Sequence, residues 1–185
     1  MPGARSSTST AATRAMARTA QSEETVFSQA EDHRLKTSMR EAILAEDSKL
    51  VFSVTPYAFM GHAYLVGFVD SPDVAERLQE RVRGLTGVRS VDAYLPTKPS
   101  DRSKVDDAEI EARLKEALVL DTGQVSSRIE SKSLAGRVVM LGVVASPEAV
   151  TDAEDRVRNL KGVTGVTNFL LVPAEGYESL RPHVR

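Results

Sequence analysis

The chain contains no cysteine, which removes disulfides, thiolate catalysis and cysteine-based zinc sites together and leaves the redox compartment open. No apolar stretch approaches the length a helix needs to cross a bilayer, so the sequence reads as soluble or peripheral to a membrane. Histidine is scarce: His33, His62 and His183 fall on a helix start, a turn and the tail, and no pair has the spacing of a metal-binding helix. An excess of positive charge is missing too, with 24 Lys and Arg against 26 Asp and Glu, whereas a surface that tracks nucleic-acid phosphates needs a net basic face. Walker loop, dinucleotide fingerprint and Gly-x-Ser-x-Gly elbow are all absent. These absences predict a protein with no catalytic residues, no metal, no cofactor and no nucleic-acid partner.

What the chain does contain is one module written twice. A shift of 75 positions lays residues 31–95 over 106–170 without a gap, matching Asp32 to Asp107, Gly61 to Gly136, Gly67 to Gly142 and Ser71-Pro72 to Ser146-Pro147. The run Arg81-Val82-Arg83-x-Leu85-x-Gly87-Val88-x-x-Val91 returns as Arg156-Val157-Arg158-x-Leu160-x-Gly162-Val163-x-x-Val166. Self-similarity at a fixed period marks a repeated structural unit. The expected division is a disordered tail over 1–30, a first module over 31–97, a linker over 98–105, a second module over 106–173 and a tail over 174–185. The first 22 residues hold three Arg, much Ser, Thr and Ala and no acid, a composition that can mimic a transit peptide but has no amphipathic face.

Each copy opens with an amphipathic helix, its apolar side at Leu35, Met39, Ala42 and Ile43 or at Ile110, Leu114, Ala117 and Leu118, with Asp32 or Asp107 placed to cap it. Val51–Thr55 and Val125–Ile129 read as first strands, and turns at Gly61 and Gly136 lead into second strands over Ala63–Val69 and Val138–Val144. Ser71-Pro72 and Ser146-Pro147 supply an N-cap and a first-turn proline for a second helix. Gly87 and Gly162 mark the break after it, and third strands follow over Val88–Leu95 and Val163–Leu171. Gly84-Leu85-Thr86-Gly87 matches the GxxG loop of an RNA-binding KH domain, but the sister copy lacks the first glycine and the turn reads as a helix ending. The predicted class is α+β: two tandem α-β-β-α-β modules, each a three-stranded mixed sheet with both helices on one face. The second strand is apolar on both sides, with Tyr64, Val66 and Phe68 opposite Ala63, Leu65 and Val69, so the helix-free face is expected to meet the sister module, another copy or an external partner.

The glycines at 61, 67 and 87, repeated at 136, 142 and 162, together with Leu65, Val69, Val88 and Val91 and their counterparts Met140, Val144, Val163 and Val166, resemble the BON domain, the bacterial osmotic-stress protein Y and nodulation module. The resemblance covers both modules. It implies a non-enzymatic, phospholipid-associated protein of the periplasm, peripheral to a membrane, that supports envelope integrity or osmotic-stress tolerance. Periplasmic placement is conditional on a leader not present in this sequence; otherwise the expectation is cytoplasmic. The alternative is an interaction adaptor or stress scaffold using the helix-free sheet face, with an envelope protein or a second copy as partner. In the family's outer-membrane lipoprotein the first helix of the second module contacts anionic lipid, but here that helix opens Asp106-Asp107-Ala108-Glu109-Ile110-Glu111, acidic and without an aromatic anchor. The first module carries Arg34, Lys36 and Arg40 on its first helix and Tyr57 and Phe59 near its hairpin, and these five are the candidate contacts for an anionic phospholipid surface.

Overall fold

A computed structural model describes residues 29–98, 106–119, 128–144 and 146–172. The first module runs helix α1 (29–46), a 3-10 helix Ser48–Phe52, strands β1 (Val54–Phe59) and β2 (His62–Gly67), helix α2 (Pro72–Arg83) and strand β3 (Ser90–Tyr94). The second runs α3 (Asp107–Val119), β4 (Arg128–Leu134), β5 (Arg137–Val143), α4 (Pro147–Arg158) and β6 (Gly165–Leu171). Each sheet is mixed, in the order β1-β2-β3 or β4-β5-β6, with an antiparallel hairpin followed by a parallel third strand. The linker, both tails and the start of the expected strand at Val125 lie outside the described residues, and α1 begins two residues inside the expected tail.

Both helices of a module cover one sheet face. Leu35, Met39, Ala42 and Ile43 from α1 and Leu78 and Val82 from α2 bury against Val54, Ala63, Leu65 and Val69, while Ile110, Leu114 and Val157 do the same against Val138 and Met140. Burial of a large aliphatic side chain contributes about 1.5–3 kcal/mol, so these periodic positions anchor each layer. The second helices begin as their sequences dictate: Ser71 and Ser146 accept from the amides of Val74 and Ala149, and proline occupies the first turn.

Two local expectations are corrected. Val51 and Phe52 are helical rather than extended, because the Asp47 carboxylate accepts from the Lys49 amide, and the bonds from Leu50 N to Asp47 O and from Ser53 N to Leu50 O wind the chain before β1. As expected, Gly87 and Gly162 stand in the turn that follows helices ending at Arg83 and Arg158, with φ angles of 88° and 95° in the left-handed region. Asp32 and Asp107 do not cap the first helices. In the second module that position belongs to Asp106, which accepts from the Ala108 and Glu109 amides.

The two aspartates instead hold the hairpin turns. Asp32 accepts from the amides of Met60 at 2.8 Å and Gly61 at 2.9 Å, and Asp107 accepts from Ala135 at 2.8 Å and Gly136 at 2.9 Å. Both turn residues in each copy have positive φ, 54° and 78° in the first and 52° and 83° in the second, the geometry of a two-residue hairpin matched to strand twist. Two adjacent amides in that conformation form a small anion-binding concavity, which the carboxylate fills. The opposite side of each turn is tied to the third strand's approach, by Arg89 N to Gly61 O at 2.9 Å and Thr164 N to Gly136 O at 2.8 Å.

Candidate functional site

The helix-free sheet faces meet each other. Tyr57, Tyr64 and Val66 of the first module and Leu134, Val139 and Leu141 of the second form one buried cluster, flanked by Phe59, Phe68, Tyr94 and Phe169. Tyr64 packs on Phe169 with ring centroids 5.5 Å apart, and the Arg137 guanidinium lies over the Tyr94 ring at 5.9 Å. The contacts are reciprocal, β6 against β2 and β3 against β5, as a near-isologous pairing of two like modules requires. Of the three partners the sequence left open for this face, the sister module is the one that covers it, so the surface on which the adaptor reading rested is filled within the chain.

That packing decides where the five candidate lipid contacts stand. Tyr57 is buried at 8% exposure and Phe59 packs against the same cluster, 6.1 Å from Tyr64 between ring centroids. Burial pushes the Tyr57 hydroxyl up to about 12, aided by the charges of Glu130 and Glu111 from the second module, and burial raises Tyr64 as well. Both phenols are therefore neutral members of the interior. Lys36 is half-buried, its ammonium 5.4 Å from the Tyr57 ring, whereas Arg34 and Arg40 are exposed on the outer side of α1. The aromatics and the two outer arginines thus belong to different surfaces.

The outer surface of the first module contains residues that sequence reasoning did not single out as a group. Leu44, Val51 and Phe52 are exposed at 56, 43 and 94%, and all three lie where α1 passes into β1. On the side of α1 that meets α2, Glu46 ties the two helices by accepting from Arg77 at 2.7 Å and Arg81 at 3.0 Å, and those hydrogen bonds hold its carboxyl below the usual range. The six charged residues of this wall, Glu46, Asp73, Glu76, Arg77, Glu80 and Arg81, line an open groove.

At the hairpin, His62 Nδ1 lies 2.6 Å from Ser90 Oγ. Burial first, and the neighbouring Arg89 second, lower the imidazole's pKa, against the opposing charges of Asp92 and Asp32. Asp32 commits both carboxylate oxygens to turn amides, so it orients the turn rather than the ring. The sister position is Arg137, whose guanidinium packs at 3.0 Å from where a Cβ on Gly165 would stand. No group of three or more potential metal-ligating side chains occurs among the described residues. The Gly84–Gly87 turn ends α2 through the bond from Gly84 N to Glu80 O, so its glycines serve the backbone.

Comparison with known proteins follows the same division. Residues 31–98 and 106–174 each match the BON domain. No curated protein matches the chain. Among solved structures, the chain is similar to the C-terminal domain of CdsD, the structural protein of the type III secretion system of Chlamydia trachomatis, at 13% identity over 65% of this chain and 90% of that one, with a TM-score of 0.32. A second CdsD structure is similar at 15% identity over 83% of this chain and 70% of that one, again at a TM-score of 0.32. The repeated hairpins, the glycine register and the two matched segments together place the chain in the BON domain family, with two copies of the domain in tandem.

Proposed function

We propose that this protein is a non-enzymatic, peripheral component of the bacterial envelope that associates with anionic phospholipid through its first module. The BON family is associated with phospholipid binding and with stress and envelope proteins, which supports the class of function. The observation that carries the choice of module is a reversal of charge between equivalent helices: Arg34 and Lys36 in α1 stand where Glu109 and Glu111 stand in α3. Arg34 and Arg40 are exposed and Lys36 partly so, and each basic residue near an anionic surface contributes about 1 kcal/mol, diminished by salt. No helix among the described residues is long and apolar enough to cross a membrane, in keeping with a peripheral mode. In this reading the protein lies on the periplasmic side of an envelope membrane and supports its integrity or osmotic tolerance.

The test is co-sedimentation of the full chain with phosphatidylcholine vesicles with and without phosphatidylglycerol, across a salt series. Binding should require the anionic lipid and weaken with salt. Replacing Arg34, Lys36 and Arg40 together by glutamine should weaken it by a few kcal/mol at most and flatten the salt dependence. Unchanged binding and salt dependence in that variant would remove the first-module site.

A further inference from the structure

Phe52 is 94% exposed, yet the segment that carries it is firmly built. Leu50, two residues earlier, is buried at 4%, Asp47 caps the 3-10 turn, and Ser53 N bonds back to Leu50 O. The ring is therefore held outward by a fixed backbone. The repeat does not keep an aromatic residue there: in sequence, the 75-residue offset matches Val51-Phe52 to Ser126-Ser127. A large apolar side chain kept in water, with two other exposed apolar residues near it in the chain and no aromatic at the matching position of the repeat, is a candidate contact rather than a packing residue.

Its surroundings fit one kind of occupant. Residues three apart eclipse in a 3-10 helix, so Lys49 stands over Phe52, and its chain can lift the ammonium to headgroup level while the ring goes deeper. Leu44 lies one helical turn beyond Arg40 on the same side of α1, and Val51 extends the apolar tip. Glu41 shares this exposed side; Glu46 is engaged by Arg77 and Arg81, and Asp47 is turned onto the Lys49 amide. An apolar tip flanked by the cations Arg40 and Lys49 fits the interface of an anionic bilayer, apolar below and negative above.

We infer that Phe52, with Leu44 and Val51, is a wedge that enters the acyl region of an anionic phospholipid bilayer and makes the first module the membrane-facing one. This rests on the phospholipid reading above and adds insertion to it. The chain has no tryptophan, so Phe52→Trp in the full-length protein provides a single reporter at the tip. With phosphatidylglycerol-containing vesicles, its emission should shift to the blue and be quenched by lipids brominated on their acyl chains. Thr86→Trp, at the exposed turn after α2, should stay unquenched. Phe52→Ser should reduce vesicle partitioning about tenfold or more, with an unchanged circular dichroism spectrum and melting temperature.

If the wild-type chain binds vesicles but the Phe52→Trp reporter is not quenched, or Phe52→Ser binds as well as wild type, the wedge is overturned while phospholipid association stands. Failure of the wild-type chain to bind any vesicle overturns both. A blue shift that grows with protein concentration in the absence of lipid assigns the tip to a second copy of the chain and overturns the membrane wedge.

Discussion

The two modules keep Asp32 and Asp107 on their turns, Ser71 and Ser146 at their second helices and left-handed glycines at the hairpin turn and before the third strand, yet they differ at many side chains that leave the shared scaffold. Arg34 faces Glu109 across the repeat, His62 faces Arg137, Tyr64 faces Val139 and Phe52 faces Ser127. What persists is what fixes backbone geometry: a carboxylate that satisfies two amides, an N-cap oxygen, a residue free to take positive φ. What varies is outer surface, the face that meets the sister sheet, and the choice of apolar residue in each core, as where Met39 becomes Leu114 and Leu78 becomes Ala153. Duplication thus acts as an internal control, separating residues the fold demands from residues free to acquire a role.

The largest effect should come from the shared face. Tyr64→Ala is expected to cost about 3–5 kcal/mol, since an aromatic side chain leaves a buried cluster built from both sheets. Its equivalent Val139→Ala removes fewer atoms and should cost less. Urea unfolding followed by circular dichroism gives the ranking, and a negligible cost for both substitutions would show that the two sheets do not share one cluster.

Glycine replacements come next and should differ between copies for different reasons. A Cβ on Gly67 would stand 2.0 Å from Ser53 O and 2.6 Å from Val54 Cα, so the backbone entering β1 has to move; the close approach is by a strand, not by a helix. Gly142 instead has φ of 134°, where a side chain is strained. Gly67→Val should cost about 3 kcal/mol or more by overpacking, and Gly142→Val about 1–3 kcal/mol by strain. Melting temperatures unchanged by both substitutions would contradict this account.

The turn clamps sharpen the comparison at smaller scale. Asp107 accepts a third bond, from Ser133 Oγ at 2.6 Å, so Asp107→Ala should destabilise more than Asp32→Ala, about 2–3 against about 1–2 kcal/mol. Hydrogen exchange at the Gly61 and Gly136 amides should rise only in the module mutated. Protection lost in both modules by either variant would show that the clamps are not local.

The smallest effect is set by pH. Because the folded His62 has a lowered pKa, its neutral form is favoured by the fold: the associated stability is present above the unfolded value near 6.5 and is lost as pH falls through the lower folded value. His62→Arg copies the second module's residue and should remove this component of the acid sensitivity as pH falls below about 6.5. Identical pH profiles for the two proteins would show that the ring's burial does not bear on stability.

Much of this architecture is legible in the sequence because it is local. Helical spacing at Leu35, Met39, Ala42 and Ile43 and the Ser-Pro starts of α2 and α4 need only neighbouring residues to be interpreted. The first strand is misplaced because Val51-Phe52-Ser53-Val54-Thr55 has high β-propensity, and one capping carboxylate at Asp47 together with the burial of Leu50 outweighs it. Tyr57 and Phe59 look like interfacial aromatics until a second sheet, more than 70 residues away in the chain, is laid over them. The clamp was visible as a repeated aspartate with a repeated turn glycine, a pairing that needed to be read across 29 residues instead of along one helix turn.

The shared face also imposes an order on how the protein is made. Ribosomes deliver the first module first, and its Tyr57, Tyr64 and Val66 surface has no cover until the chain has been extended through β6 at Leu171. At about 5–20 residues per second, that leaves a sticky, half-finished sheet waiting for several seconds in a crowded compartment. The second module is thus, in time as well as space, a lid synthesised late for the first. A chain stopped before residue 106 should accumulate as aggregate or in chaperone-bound form, while the full chain does not, as solubility of the two translation products will show.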